Sequence, residues 1–293
     1  MGWRMKKLAL LLLLAVCLTG CSKLDGITDH IPFLNKDKES SEETGGNGEE
    51  NTGQSNEEGT ADSTKEESSE SESPEEQIPW TLESAYFNDI KVVDGRNIIQ
   101  NPTNTVSLVN KEFGLPDGYT PEDMVRPDVL FSFGDQDIEK SYLRKEAASA
   151  LEEMFNAAKK DGVILYAVSG YRSYDRQSVL FNAEVDKVGE KKAEEAVAYP
   201  GNSEHQTGLA MDISAESADF LLTEDFEDTK EGKWLHEKAY LYGFILRYPK
   251  GKEDITKYKF EPWHYRYVGK KSAKDIFENN WTLEEYFEQV RKI

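Results

Sequence analysis

The chain has 293 residues, with 35 Lys and Arg against 56 Asp and Glu, which gives a formal net charge of −21. So acidic a protein is a poor candidate for binding nucleic acid, or for docking on anionic lipid by its surface charge. The two cysteines, Cys17 and Cys21, lie close together near the N-terminus, which excludes a disulfide framework and a cysteine-based zinc ribbon. Any metal site must therefore use the four histidines together with carboxylates.

Residues 1–20 are predicted to be an export signal. Arg4, Lys6 and Lys7 precede an apolar run of about 11 residues, too short for a bilayer, which needs about 20. The run ends in Leu18-Thr19-Gly20-Cys21, which resembles the bacterial lipobox. That resemblance implies cleavage before Cys21, diacylglyceryl transfer to its thiol, and a protein anchored by lipid on the outer face of the cell membrane. A plain signal peptide with an incidental cysteine is the alternative.

Residues 21–79 are predicted to hold the lipid anchor and a disordered acidic tether. Residues 36–78 contain 15 acidic residues, 3 basic ones and no aromatic residue. Such a segment cannot bury enough apolar area to offset its chain entropy. A flexible chain of this length spans roughly 40 Å on average, by a square-root dependence on residue number. The tether either lets the folded part reach beyond the membrane surface or only keeps it soluble.

The folded part is predicted to consist of an accessory segment, residues 80–104, and a main domain, residues 105–293. In the accessory segment, Ile90–Val93 and Ile98-Ile99 flank Asp94-Gly95, the signal for a β-hairpin. In the main domain, Ser141–Lys160 is predicted to be an amphipathic helix, because its apolar residues recur at steps of three and four.

The rest of the main domain mixes short strands and helices. An unbroken apolar run predicts a buried strand at Val163–Val168, and Ser173 is placed to cap a helix that runs to Val188. Further helices are predicted at Lys191–Ala198, Trp234–Tyr242 and Leu283–Arg291, and further strands at Met211–Ile213, Phe244–Leu246 and Tyr265–Val268. The irregular order favours an α+β fold, a small antiparallel sheet with flanking helices around a cleft.

Two histidines and two carboxylates stand out within polar motifs. His205 lies in the loop segment Pro200–Asp212, Asp212 ends an apolar segment, and Glu261 precedes His264 by three residues. Two imidazoles and one carboxylate can form a tetrahedral zinc site with one open position, and a glutamate beside it can act as a base. These residues do not lie in an HExxH helix. From the residues alone, two unrelated surface histidines in an acidic module remain the alternative.

Four motifs resemble those of the VanY-like zinc D-alanyl-D-alanine carboxypeptidases, which are peptidoglycan peptidases. They are SGYRS, SEHQTGLAMD, GFILRYP and EPWHYRYVG, and the resemblance covers roughly residues 107–269. It implies that residues 105–293 form a zinc carboxypeptidase domain with one Zn²⁺. The resemblance implies these roles: metal ligands His205, Asp212 and His264; catalytic base Glu261; oxyanion or carbonyl contact Arg172; and substrate contacts, for a terminal carboxylate, Gln177 and Ser203.

The implied function is removal of the terminal D-alanine from peptidoglycan stem peptides by a membrane-anchored, extracytoplasmic enzyme. We expect a monomer with no nucleic-acid partner. An L,D-carboxypeptidase or an endopeptidase would use the same machinery. A non-catalytic wall-binding lipoprotein is a further alternative, although a pure binder has no need of Glu261. Three side-chain roles stay open: Glu204 either orients a ligand or faces water, and Arg247 and Tyr248 either line the site or close a strand.

Overall fold

The computed structural model describes residues 80–293. The predicted signal, Cys21 and the acidic tether lie outside the described residues, and their assignments stay predictions. None of the helices within residues 80–293 combines the length and apolar character that crossing a bilayer requires.

Seven helices and eleven short strands are defined within residues 80–293. The helices are α1 (Lys145–Lys160), α2 (Tyr174–Val188), α3 (Glu190–Ala196), α4 (Lys230–Lys238), α5 (Glu253–Thr256), α6 (Lys270–Asn279) and α7 (Leu283–Gln289). The strands are β1 (Thr81–Leu82), β2 (Ile90–Val93), β3 (Arg96–Ile99), β4 (Phe113–Gly114), β5 (Met124–Val125), β6 (Leu143–Arg144), β7 (Tyr166–Ser169), β8 (Ala210–Ser214), β9 (Phe244–Leu246), β10 (His264–Tyr267) and β11 (Arg291–Lys292).

The central sheet has four strands in the order β7-β8-β10-β9, and every neighbouring pair is antiparallel. All five residues of β8 and all four of β10 are buried, because protein covers both faces of these strands. The prediction of an α+β fold around a small antiparallel sheet is therefore confirmed.

Helix α1 supplies one wall of the main core. Its Leu151 and Met154 are fully buried against residues of the sheet, among them Met211 and Tyr265. Truncating either side chain to alanine would cost about 2–5 kcal/mol, the usual range for a large-to-small change in a core. The apolar periodicity thus identified the buried face of this helix.

The start of α1 differs from the prediction, which placed it at Ser141. Residues Glu139–Ser141 form a separate 3₁₀ turn, in which the Ser141 hydroxyl donates to the Ile138 carbonyl. After Tyr142, the two residues Leu143 and Arg144 form β6, which pairs with β5. The helix can begin only after that pairing ends, at Lys145. Pairing with a distant segment overrides the local helical pattern here.

The helix predictions need correction at two further places. The predicted helix Trp234–Tyr242 is α4 followed by a 3₁₀ turn, and α4 begins earlier because Thr229 Oγ1 accepts from the Gly232 amide. Helix α6 was not predicted, because only three of its residues are buried and most of the rest are charged or polar. By contrast, Ser173 caps α2 as predicted, accepting from the Arg176 amide.

The accessory segment packs against the C-terminal end of the chain. The predicted hairpin is present as β2 and β3. Strand β1 pairs in parallel with β11, and the rings of Phe87 and Phe287 meet edge to face at 5.4 Å. Trp80 contacts Trp281 in the same manner at 4.8 Å. The first and last described segments thus share one small core beside the main sheet.

Candidate metal centre and catalytic cleft

The pairing of β8 with β10 brings two of the predicted metal ligands together. Asp212 and His264 are direct partners across the two strands, although 52 residues separate them in the sequence. Cross-strand partners on one face of an antiparallel pair have their Cβ atoms about 5 Å apart. Here Asp212 Oδ1 lies 2.9 Å from His264 Nδ1.

His205 reaches the same point from a loop. It lies in the 3₁₀ turn Glu204–Thr207, which Gly208 ends at a φ of 66°, a left-handed conformation that glycine adopts without strain. Its Nδ1 lies 2.8 Å from the Gly170 carbonyl. A Cβ at position 170 would come within 2.6 Å of the Tyr142 carbonyl, so only glycine allows this close packing. His205 Nε2 then faces Asp212 Oδ2 at 3.4 Å.

The three side chains form a donor set that fits a divalent metal. One ligand atom from each of His205, Asp212 and His264 lies within 4.8 Å of the other two, and all three residues are buried. Each imidazole also has its other nitrogen beside an acceptor: the Gly170 carbonyl for His205, and Glu204 Oε2, at 3.3 Å, for His264. Zinc-binding histidines are typically held in this way. Two imidazoles and one carboxylate are a set that zinc prefers in catalytic sites.

The pKa values of the two imidazoles move in opposite directions. Burial lowers the pKa of His205 to about 3, so its ring is neutral. A carbonyl only accepts, so Nδ1 carries the proton and Nε2 presents its lone pair to Asp212. Burial also opposes charge on His264, but hydrogen bonds to Asp212 and Glu204 outweigh it and raise its pKa to about 9. Without metal, His264 thus serves as the cation between carboxylates.

Glu261 stands at the edge of this cluster. Its Oε2 lies 3.9 Å from His264 Nδ1, and its side chain is 28 % exposed to the cleft. Burial raises the pKa of Glu261 to about 7, although the neighbouring His264 and Arg172 pull it downward. A carboxylate that gains and loses a proton near neutral pH has the property required of a general base.

Arg172 and Gln177 also line the cleft, and their side chains are hydrogen-bonded to each other. Arg172 Nη1 donates to Gln177 Oε1 at 3.1 Å, and Gln177 Nε2 donates to the Ala198 carbonyl at 2.7 Å. Gln177 is 1 % exposed, and both ends of its amide are hydrogen-bonded, which fixes the side chain in the lining of the cleft. Ser203, directly before the turn that carries His205, also lines the cleft.

The cleft that contains these residues has a volume of about 600 Å³. One end holds the metal-ligand cluster, Glu261 and Arg172, and the wall continues along α2 to Glu184. Sites that bind small molecules commonly have volumes of this size, with a few convergent polar groups.

The structure also places several residues of the site whose positions the sequence did not determine. The Tyr248 ring lies 5.0 Å from the His264 ring and lines the cleft, whereas Arg247 is fully buried. Glu204 is buried and faces His264 rather than water. Trp263 lines the cleft and also belongs to the core. Tyr258, which packs on Tyr248, was not singled out from the sequence.

This fold and donor set define a class of metallopeptidase-like proteins, and sequence comparison identifies the family. The VanY profile, described as D-alanyl-D-alanine carboxypeptidase, matches residues 140–270. The chain is 36 % identical over 191 residues to the bifunctional D-Ala-D-Ala dipeptidase and carboxypeptidase VanXYC of Enterococcus gallinarum, covering 95 % of that relative and 64 % of this chain. The chain belongs to the VanY family of carboxypeptidases.

Two further relatives are more similar. The chain is 63 % identical to YodJ of Bacillus subtilis over 222 residues, which are 76 % of this chain and 81 % of YodJ. Among solved structures, the LdcB LD-carboxypeptidase superposes with a TM-score of 0.72. The structure of LdcB reveals the molecular basis of peptidoglycan recognition by that enzyme. It is 65 % identical, and the match covers 73 % of this chain and all of that one.

Proposed function

We propose that this protein is a zinc-dependent carboxypeptidase that removes the terminal D-alanine from peptidoglycan stem peptides. The observation that carries the proposal is the convergence of His205, Asp212 and His264, with Glu261 beside them, at one end of a cleft. Family membership supports the carboxypeptidase activity.

The residues of the cleft divide the work of peptide hydrolysis. Zinc bound by the three ligands would polarise the scissile carbonyl and lower the pKa of a neighbouring water. Glu261 takes a proton from the attacking water as its oxygen bonds to the carbonyl carbon. It gives that proton to the amine nitrogen as the C–N bond breaks. Arg172, a cation that lines the same cleft and is held by Gln177, stabilises the negative charge that develops on the carbonyl oxygen.

We further propose that the preferred substrate is a tetrapeptide stem, which makes the enzyme an L,D-carboxypeptidase. The support is the 65 % identity to the LdcB LD-carboxypeptidase, against 36 % identity to VanXYC, which is named for D-Ala-D-Ala substrates. D,D-carboxypeptidase activity on pentapeptides is the second candidate, because the family profile carries that description.

Defined stem peptides would separate these activities. Purified protein is incubated with a synthetic tetrapeptide and a synthetic pentapeptide, and released D-alanine is measured by mass spectrometry. We expect at least about tenfold faster release from the tetrapeptide, within the range by which pocket contacts discriminate related substrates. A chelator should stop release and added zinc should restore it.

The possible outcomes are distinct. Faster release from the pentapeptide would favour the D,D assignment. Cleavage of a cross-bridged dimer without release of D-alanine would contradict the carboxypeptidase proposal. Release that no chelator affects would contradict the zinc proposal.

We also propose that a lipid on Cys21 anchors the protein to the outer face of the membrane. The support is the sequence Leu18-Thr19-Gly20-Cys21. A Cys21→Ser protein should lack the lipid and keep its unprocessed signal, while Cys17→Ser should behave like wild type. Membrane-bound, processed Cys21→Ser protein, measured by fractionation and mass spectrometry, would contradict lipid anchoring.

A further inference from the structure

Beside the His264 ring lie four charged side chains that are linked by ion pairs. We name them the buried charge cluster: Glu204, Arg247, Arg266 and Glu284. The side chains of Glu204, Arg247 and Arg266 are fully buried, and that of Glu284 is 12 % exposed. Burying a charge is costly unless it is paired and hydrogen-bonded. Two carboxylates and two guanidiniums balance each other here.

The contacts in the buried charge cluster fix the Glu204 carboxylate. Arg247 Nε and Arg266 Nη1 both donate to Glu204 Oε1, each at 2.8 Å. This oxygen is therefore fully engaged, and Oε2 is left to face His264 Nε2 at 3.3 Å. The carboxylate cannot turn without losing both charge-assisted hydrogen bonds.

Further contacts fix the two guanidiniums. Arg247 donates through Nη1 and Nη2 to the two oxygens of Glu284, at 2.9 and 2.7 Å, a bidentate pair. Glu284 lies in the first turn of α7 and also accepts from Asn110 Nδ2. Arg266 donates to the Ser107 carbonyl. The cluster thus links α7 and residues 107–110 to one imidazole of the metal centre.

The orientation of His264 depends on this arrangement. Its Nε2 donates to Glu204 when Nε2 carries the proton, and this leaves Nδ1 as the nitrogen that faces Asp212. With the ring turned over, Cδ2 would take the place of Nδ1 beside Asp212, and Cε1 would take the place of Nε2 beside Glu204. One acceptor in a fixed place thus selects both the ring orientation and the nitrogen that can bind metal.

We propose that Glu204 is a positioning residue that presents His264 Nδ1 to the metal, and that Glu284 of α7 takes part by fixing Arg247. This inference rests on the zinc site of the proposed function and deepens it. It assigns a task in the metal centre to a helix that does not line the cleft.

Zinc affinity of the purified full-length protein tests the inference, because a merely structural role would not change it. Glu204→Gln keeps the shape of the side chain but weakens the acceptor and removes its charge. We expect zinc affinity, measured by competition with a chelating dye, to fall by about 10–100-fold, the usual effect of losing such a partner. The visible absorption bands of the cobalt-loaded protein should also shift.

Glu284→Gln gives a milder test, with Glu285→Gln as its matched control. Glu285 lies in the same helix, but its carboxylate pairs with Lys252 and accepts from the Thr282 amide instead of an arginine of the buried charge cluster. We expect zinc affinity to fall by about tenfold in Glu284→Gln. Glu285→Gln should bind zinc as wild type does, even if its unfolding temperature falls. If Glu204→Gln does not fold, Glu284→Gln decides the matter.

The outcomes distinguish this inference from the proposed function. A wild-type protein that binds no zinc would contradict the proposed function itself. Wild-type zinc affinity in both Glu204→Gln and Glu284→Gln would overturn the inference and leave the proposed function intact. Equal losses in Glu284→Gln and Glu285→Gln would show an effect of helix stability and overturn the part assigned to Glu284.

Discussion

Two glutamates lie on opposite sides of the His264 ring, and their pKa values are shifted in opposite directions. Burial would raise the pKa of both. For Glu204, the guanidiniums of Arg247 and Arg266 outweigh burial and hold the pKa below its ordinary value. For Glu261, burial prevails and raises the pKa to about 7. The same residue type is thus held ionised beside one nitrogen of the ring and titrates near neutral pH beside the other, because its charged neighbours differ.

The substitution Glu261→Ala tests the proposed role of Glu261 as the base, and its expected effect is the largest. We expect kcat on the preferred stem peptide to fall by about 10²–10⁴-fold, the usual contribution of a general base. Zinc content, measured by metal analysis, should stay at the wild-type level, because Glu261 is not among the three ligands. Glu253→Ala, which removes an exposed carboxylate from α5, is the control. Unchanged hydrolysis in Glu261→Ala would refute its role as base.

The buried side is tested by Arg247→Met, which removes the cation between Glu204 and Glu284. We expect the free energy of unfolding to fall by about 3–5 kcal/mol, because breaking a buried pair leaves a charge without compensation. Urea denaturation of the metal-free protein measures this. Lys250→Met removes an exposed pair with Glu227 instead and should cost about 0–1 kcal/mol. Equal losses in the two variants would contradict the distinction drawn between them.

The pH dependence of zinc affinity tests the protonation of the His264 ring, which lies between the two glutamates. The pKa of metal-free His264 is raised to about 9, so zinc must displace a proton from it at neutral pH. We expect affinity to fall by about tenfold for each pH unit from 9 to 7, as one proton is released per zinc bound. Competition titrations at pH 7, 8 and 9 measure the slope.

A second histidine provides the control for that titration. His236 is exposed on α4, so His236→Gln should show the same slope as wild type. Zinc affinity that does not change between pH 7 and 9 would contradict the raised pKa of His264.

The sequence predicts the elements of this protein better than their pairing. The polar motifs and the family resemblance predict three side chains that the structure brings together, and the apolar pattern identifies the buried face of α1. The register that makes Asp212 and His264 partners depends on contacts between distant strands, which no local pattern contains. The same is true of the start of α1, which β5 determines by pairing with β6.

The charges behind the metal centre were the hardest feature to predict. Arg247 and Arg266 lie next to or within strands, where a charged residue usually indicates a face in contact with water. Both are instead fully buried, because Glu204 and Glu284 meet them from a loop and from α7. Local pattern cannot supply these partners, since 37 and 62 residues separate Arg247 from Glu284 and Arg266 from Glu204.

The register of β8 and β10 limits which insertions and deletions these strands tolerate. Sliding one strand past the other by a single residue would turn its side chains to the opposite face of the sheet. Asp212 and His264 would then point away from each other, although the amino-acid composition of both strands would barely change. Insertions and deletions of one residue inside these strands are therefore more damaging than most exchanges of one apolar residue for another.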